Sequence, residues 1–105
     1  MDSLKETLCR VMAGYAGKGF NGISYLTWNE TQDVFATVSV AVWKGERIAD
    51  CGLLVRLLDG LIVIEGDMND KPLVDALLQA GVPREKIVLA YAGEQMEKTP
   101  EAVAK

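Results

Sequence analysis

Residues 51–67 read Cys-Gly-Leu-Leu-Val-Arg-Leu-Leu-Asp-Gly-Leu-Ile-Val-Ile-Glu-Gly-Asp, two apolar runs that meet at Asp59-Gly60. The Asp-Gly dipeptide tolerates the positive φ angles that a two-residue type I′ turn requires, and the Leu- and Ile-rich flanks suit paired strands. The stretch therefore predicts a β-hairpin around which the rest of the chain is arranged.

The register of this hairpin follows by counting outward from the turn, which places Leu58 opposite Leu61 and Leu54 opposite Glu65. Because side chains alternate across a strand, the hairpin has one uniformly apolar face and one mixed face. A one-residue slip would expose the apolar set, so the register is well specified. The apolar face carries Leu53, Val55, Leu57, Ile62 and Ile64, and the mixed face carries Leu54, Leu58, Leu61 and Val63 with Arg56 and Glu65.

A strand over residues 34–43 precedes the hairpin and is joined to it by a short turn at Lys44-Gly45-Glu46. We expect its alternate residues Val34, Ala36, Val38, Val40 and Val42 to face the core. In a regular pairing, Phe35 and Trp43 would then lie on the mixed side. Gly52, partway along the next strand, is a candidate for a bulge or bend.

Two helices are predicted on either side of the strands. The first starts at Ser3, and the second covers about residues 70–80, capped by Asn69 or Asp70 and ended by Gly81 and Pro83. Their apolar stripes are Leu4, Leu8, Val11 and Tyr15, then Leu73, Val74, Leu77 and Leu78.

A strand over residues 23–28, a fifth short strand at 87–91 and one last helical turn at 99–101 complete the pattern. The fold class is therefore α+β, an antiparallel meander sheet of about five strands with an N-terminal helix and a second helix packed on one face. At 105 residues the chain forms a single domain, 1–105.

The charge pattern argues against a nucleic-acid binder. The chain has a net charge of −4, whereas non-specific affinity for nucleic acid comes from clustered Lys and Arg. The nearest basic groupings, Lys44 with Arg47 and Arg84 with Lys86, are interpreted as ordinary surface. No apolar run is long enough to span a membrane, so we expect a cytoplasmic protein without membrane contact.

Catalytic or metal-binding residues are sparse, because the chain has no histidine. Glu65, Asp67 and Asp70 could bind a divalent cation or act as an acid–base pair. The simpler interpretation places Asp67 and Asp70 at the positive end of the second helix. Cys9 and Cys51 are expected to be free, mostly buried thiols. We therefore predict no enzyme activity, no cofactor and no metal.

Nearly the whole chain resembles the XisI family, named after an fdxN element excision controlling factor. The match begins with Tyr15-Ala16 at the end of the first helix, continues from Trp43 onward and ends with a similar tail at 99–104. The matching positions are Trp43, Arg47, Cys51, Asp59, Gly60, Ile62, Ile64, Asp67, Ala80, Gly81, Val82, Pro83, Arg84, Ile87, Val88 and Leu89.

The chain departs from the family pattern on the mixed face of the hairpin. The family carries His at Leu54, Asp at Arg56, Lys at Leu58 and at Leu61, and Trp at Val63. The polar family positions are mostly aliphatic here, so this copy presents a more apolar mixed face than the family pattern does.

The resemblance implies an accessory factor in excision of a DNA element by a site-specific recombinase, acting with XisH, a protein of nuclease-like fold. It is equally compatible with a partner or immunity-like regulator of that neighbour, and direct DNA binding during recombination is a second hypothesis that the acidic charge does not favour. An apolar sheet face without a helix should be covered, so we expect a symmetric homodimer or an XisH-like partner there. The interface candidates are Trp43, Leu54, Arg56, Leu58, Leu61 and Val63.

Overall fold

The Asp59-Gly60 turn joins two antiparallel strands, as the sequence predicts. Asp59 has φ 51° and Gly60 has φ 76°, the left-handed values of a type I′ turn. Leu58 lies opposite Leu61 and Leu57 opposite Ile62. The predicted hairpin is therefore present with its register unchanged next to the turn.

The computed structural model describes residues 3–95, so the last helical turn predicted at 99–101 and the family-like tail at 99–104 lie outside the described residues. Within the described range, neither helix is long and apolar enough to cross a membrane. The elements are α1 (Ser3–Ala13), β1 (Gly17–Lys18), β2 (Gly22–Asn29), β3 (Val34–Trp43), β4 (Glu46–Leu58), β5 (Leu61–Asp67), α2 (Leu73–Gln79) and β6 (Ile87–Leu89), with single 3₁₀ turns at Arg84–Lys86 and Ala90–Ala92.

The strands form one sheet in sequence order, β1 to β6. β1 to β5 are antiparallel neighbours, and β6 runs parallel to β5. The parallel pair is possible because the crossover between its strands contains α2. The α+β class is as predicted, but the sheet has six strands rather than about five. The additional strand is the two-residue β1, whose glycine-rich sequence carries no strand signal.

A β-bulge at Gly52 changes the register between β3 and β4. Trp43 lies opposite Glu46 across the Lys44-Gly45 turn, and counting along the ladder from that pair would place Phe35 opposite Leu54. Beyond the bulge, however, Phe35 lies opposite Val55. Gly52 is the extra residue that shifts the pairing by one position.

This bulge makes one prediction wrong, namely that the valines of β3 face the core. Phe35 is fully buried, whereas Val38 is 38% exposed and Val42 is 46% exposed. The predicted alternation along β3 is confirmed. The shift at Gly52, however, places Phe35, and not its neighbours, on the same side as Val55.

Both helices pack on the side of the sheet that carries Phe35, as predicted for one face. Met12 is buried although it was not in the predicted stripe of α1, and Leu78 of α2 is 41% exposed although it was. The rest of each stripe is buried or packed against the core. The core consists of Leu8, Met12, Phe35, Leu53, Val55, Ile62, Ile64, Leu73, Leu77, Val82 and Ile87.

Asp67, the last residue of β5, holds the start of α2 through hydrogen bonds. Pro72, and not Asn69 or Asp70, occupies the N-cap position. The carboxylate of Asp67 accepts the backbone N–H of Leu73 at 2.6 Å and that of Asn69 at 3.0 Å. It thereby satisfies a free amide in the first turn and places negative charge at the positive end of the helix.

A second bulge lies in β5, because Leu54 is opposite Gly66 rather than Glu65 as predicted. The extra residue, Glu65, accepts a hydrogen bond from Arg56 Nε at 2.8 Å. Two of the three carboxylates of the predicted acidic cluster therefore have separate structural partners, Arg56 for Glu65 and the start of α2 for Asp67.

Replacing Gly22 by Ala should destabilise the fold. A Cβ at Gly22 would lie 2.4 Å from the backbone carbonyl oxygen of Val40, and such overpacking typically costs about 1–3 kcal/mol. Gly66→Ala is the matched control, since a Cβ there meets nothing within 4 Å. Chemical denaturation should show a loss for Gly22→Ala and a change within about 0.5 kcal/mol for Gly66→Ala. Equal stability of the two variants would contradict the close approach of β2 and β3.

Glu94 connects the segment after β6 to residues of β6 and of the turn before it. Its carboxylate accepts the backbone N–H of Leu89 at 2.9 Å and an N–H of the Arg84 guanidinium at 2.7 Å. These two hydrogen bonds lower the pKa of Glu94 below its ordinary value.

A lowered folded-state pKa means that Glu94 stabilises the fold above its unfolded pKa of about 4.3. That contribution is lost as the pH falls through the folded value. An NMR titration should therefore give a Glu94 pKa below about 4.3, and Arg84→Gln should raise it. Glu94→Gln should remove this part of the acid dependence of unfolding. A Glu94 pKa that does not respond to Arg84→Gln would argue against the contact.

Candidate interaction surface

The side of the sheet opposite the helices forms a broad apolar surface, here called the open face. The strand pairings place alternate residues of β2, β3 and β4, and Leu61 at the start of β5, on it. Within residues 3–95, the buried side chains of α1 and α2 all belong to the core on the other side. Its apolar members are Ile23, Tyr25, Val34, Ala36, Val38, Val40, Val42, Ala49, Cys51, Leu54, Leu58 and Leu61.

Several of these side chains are unusually accessible for their type. Tyr25 is 52% exposed, and Val40 and Leu54 are each 38% exposed. Single exposed apolar residues are ordinary, but a contiguous group on one flat surface marks an association site. Fully burying an aliphatic side chain is worth about 1.5–3 kcal/mol, so covering this surface would stabilise a complex substantially.

The predicted interface residues of the hairpin lie on this face, but they differ in accessibility. Leu54 is exposed, and Leu58 and Leu61 are half-buried opposite each other. Arg56 is half-buried and its Nη2 lies 2.8 Å from Glu65 Oε2. Val63 is only 2% exposed, so it belongs to the packing of the chain itself and cannot contact a partner.

Trp43 is exposed, as a surface anchor should be, but it lies on the opposite side of the sheet from Leu54. It shares its side with Phe35, at the exposed end of β3. Lys44 Nζ lies 5.8 Å from the centroid of the Trp43 ring, within the range of a cation–π contact. Trp43 is therefore not part of the open face.

Sequence reasoning missed the largest part of the open face, Tyr25 with the valines of β3. Alternation in a regular strand assigns these valines to the core. The signal that could have placed them outside is Gly52, because a bulge at that position inverts the sides of β3 relative to the hairpin.

The family-motif positions fall into two groups. One group is structural: Asp59 and Gly60 form the turn, Asp67 holds the start of α2, Gly81 follows α2 with φ 96°, and Val82 is buried beside Pro83. The other group, Trp43, Arg47 and Cys51, lies exposed on β3 and β4. This second group is therefore available to a partner.

Both cysteines are free thiols, but the expectation that Cys51 is buried is wrong. Cys51 is exposed on the open face, and its thiol donates to the carbonyl oxygen of Leu53 at 3.2 Å. Gly52 places Cys51 on this side of β4 by inverting the alternation. Cys9 is half-buried in α1, and burial raises the pKa of its thiol.

The two basic groups singled out in the sequence lie far apart. Lys44 and Arg47 lie at one end of β4, whereas Arg84 and Lys86 precede β6, which pairs with β5 close to the Asp59-Gly60 turn. A strand rises about 3.3 Å per residue, so roughly 30 Å of β4 separates the two groups. These four residues therefore do not share one surface patch.

A pocket of about 350 Å³ lies beside the glycine-rich loop after α1. Its lining includes Ser24 and Ser39, whose hydroxyls are 2.7 Å apart, together with Lys18 and Tyr15. Among the described residues that line it there is no carboxylate or thiol. Over residues 3–95 no group of three or more Cys, Asp or Glu side chains is arranged to hold a metal ion.

Two solved structures share this architecture. An XisI-like protein from Anabaena variabilis ATCC 29413 is 24% identical, with 82% of this chain and 78% of that chain covered and a TM-score of 0.63. The fdxN element excision controlling factor XisI from the same organism is 21% identical, with 84% and 88% covered and a TM-score of 0.64. At these identities the likeness shows a shared fold.

Comparison with curated proteins gives no match. The family described as XisI protein, in contrast, matches residues 4–103. This range includes both helices, all six strands and the surface described above. The chain therefore belongs to the XisI family.

Proposed function

We propose that this chain is a non-catalytic accessory factor that controls excision of a DNA element by binding a protein partner through its open face. The observation that carries the proposal is the exposure of Tyr25, Val38, Val40, Val42 and Leu54 side by side on a sheet that has no helix on that side among the described residues.

Two further features support binding to protein rather than to DNA. The chain carries a net charge of −4, and its basic groups are divided between the two ends of β4. A surface that lacks dense positive charge gains little from the counterion release that drives DNA binding. An apolar surface, in contrast, gains from exclusion of water by another protein.

The carboxylates support a non-catalytic role. Glu65 is paired with Arg56, and Asp67 accepts hydrogen bonds at the start of α2. These contacts give Glu65 and Asp67 structural roles in the hairpin and at the start of α2. The expected partner is an XisH-like protein, and the solved neighbour described as an excision controlling factor supports placing that complex in DNA excision.

A double substitution on the open face should abolish partner binding without unfolding the chain. Val40→Lys with Leu54→Lys places two charges on the apolar surface, at side chains that are only partly buried in the free chain. Leu78→Lys is the matched control, since Leu78 is similarly exposed but lies on α2. Co-expression with the adjacent XisH-like protein and size exclusion should give a complex with wild type and with Leu78→Lys. The double variant should bind at least about tenfold more weakly, which corresponds to about 1.4 kcal/mol.

Four results would count against the proposal. Independent elution of wild type and the XisH-like protein would show that this protein is not the partner. Undiminished binding by a folded Val40→Lys/Leu54→Lys variant would show that the open face is not the binding surface. A homodimeric wild type that the same variant converts to a monomer would instead assign the open face to a second copy, as light scattering would show. Salt-sensitive binding to duplex DNA by wild type would favour the nucleic-acid alternative.

A further inference from the structure

Half of β4 has a free edge. β5 pairs only with the second half of this strand, from Leu53 to Leu58. The first half, Glu46–Cys51, pairs with β3 on one side and with no strand of residues 3–95 on the other, and all six of its residues are exposed. An exposed edge of this kind presents backbone donors and acceptors to another chain.

The positions of the outward backbone groups follow from the turn. Trp43 and Glu46 flank the two-residue turn, so they form a hydrogen-bonded pair, and such pairs alternate along the ladder. The N–H of Val42 accordingly points away from β4, to the Asn21 carbonyl oxygen. The groups of Ile48 and Asp50 therefore face β3, whereas those of Arg47, Ala49 and Cys51 face the free edge.

The side chains along this edge carry a definite charge pattern. On the helix side of the sheet, Glu46 and Asp50 flank Ile48, which is 38% exposed. A second copy paired antiparallel through Ile48 would place Glu46 opposite Asp50 twice, and pairing through Ala49 would bring the two Asp50 carboxylates onto a diagonal. Like charges across strands are destabilising, so self-pairing is disfavoured.

A strand complementary to this edge would carry basic residues opposite Glu46 and Asp50 and an aliphatic residue opposite Ile48. Any residue would fit at the two positions between them. We infer that Glu46–Cys51 accepts an extended segment of this pattern from a partner protein, which adds a strand to the sheet beside β4. Main-chain hydrogen bonds would supply affinity and the alternate side chains specificity. The inference rests on the proposed partner-binding function and names the partner segment by its chemistry.

A synthetic peptide tests this inference without the partner. The probe is acetyl-Thr-Lys-Thr-Val-Thr-Lys-Thr-amide, and the control replaces both Lys by Glu. NMR should show slowed amide exchange at Arg47, Ala49 and Cys51 when the Lys peptide is added, with no change at Ile48 and Asp50, which already bond to β3. Absence of this alternation, or equal binding of the Glu peptide, would overturn the inference.

Two variants test the edge within the full chain. Ala49→Pro removes an outward N–H and leaves the β3–β4 bonds intact, as edge proline does, so it should block the peptide. Glu46→Lys with Asp50→Lys should weaken binding roughly tenfold at low salt, whereas Glu30→Lys with Glu85→Lys changes the net charge equally and should not. Peptide binding that survives both edge variants would overturn the inference, as would a wild-type dimer that Ala49→Pro dissociates.

The same variants separate this inference from the proposed function. A complex with the XisH-like protein that survives Ala49→Pro and the Glu46/Asp50 double variant, but is lost in Val40→Lys/Leu54→Lys, overturns the edge inference alone. Failure of wild type to bind that protein, together with normal peptide binding at the edge, overturns the proposed partner and supports the edge.

Discussion

The extra residue at Gly52 is the constraint on which the arrangement of this protein depends. It shifts the pairing of β3 and β4 by one position and brings Phe35 opposite Val55. Burial of such a side chain is worth about 1.5–3 kcal/mol. The same shift turns Val38, Val40 and Val42 to the other side, where they form the open face. The one extra residue in β4 thus places Phe35 in the core and the three valines on the open face.

Much of the fold was predictable because local signals agreed with it. The Asp59-Gly60 turn, the two helices on one side and the order of the antiparallel strands follow from turn chemistry and periodicity. The side occupied by β3 could not be predicted from alternation alone, since alternation defines two faces but not which one is buried. A bulge settles that choice, and its position depends on the packing of Phe35 among residues distant in the sequence.

The site was predicted in part. Leu54, Leu58 and Leu61 lie on the open face, but Trp43 lies on the other side and Val63 is buried. The two errors have different origins. The bulge at Gly52 places Trp43, together with Phe35, on the side of the sheet opposite Leu54, whereas Val63 lies on the predicted side at a depth that sequence spacing does not indicate. The acidic cluster shows the converse: its residues are adjacent in sequence, but Asp67 turns to α2 and Glu65 to Arg56.

The central claim is that the side of the sheet opposite the helices is free in the isolated chain and covered in its complex. The reaction rates of Cys51 and Cys9 with a thiol reagent, read by mass spectrometry, test it most directly. Cys51 should react faster in the isolated chain because it is exposed on the open face, whereas Cys9 is half-buried. In the complex, Cys51 should be protected while Cys9 is unchanged. A slow Cys51 in the isolated chain, or an unprotected Cys51 in an intact complex, would contradict the account.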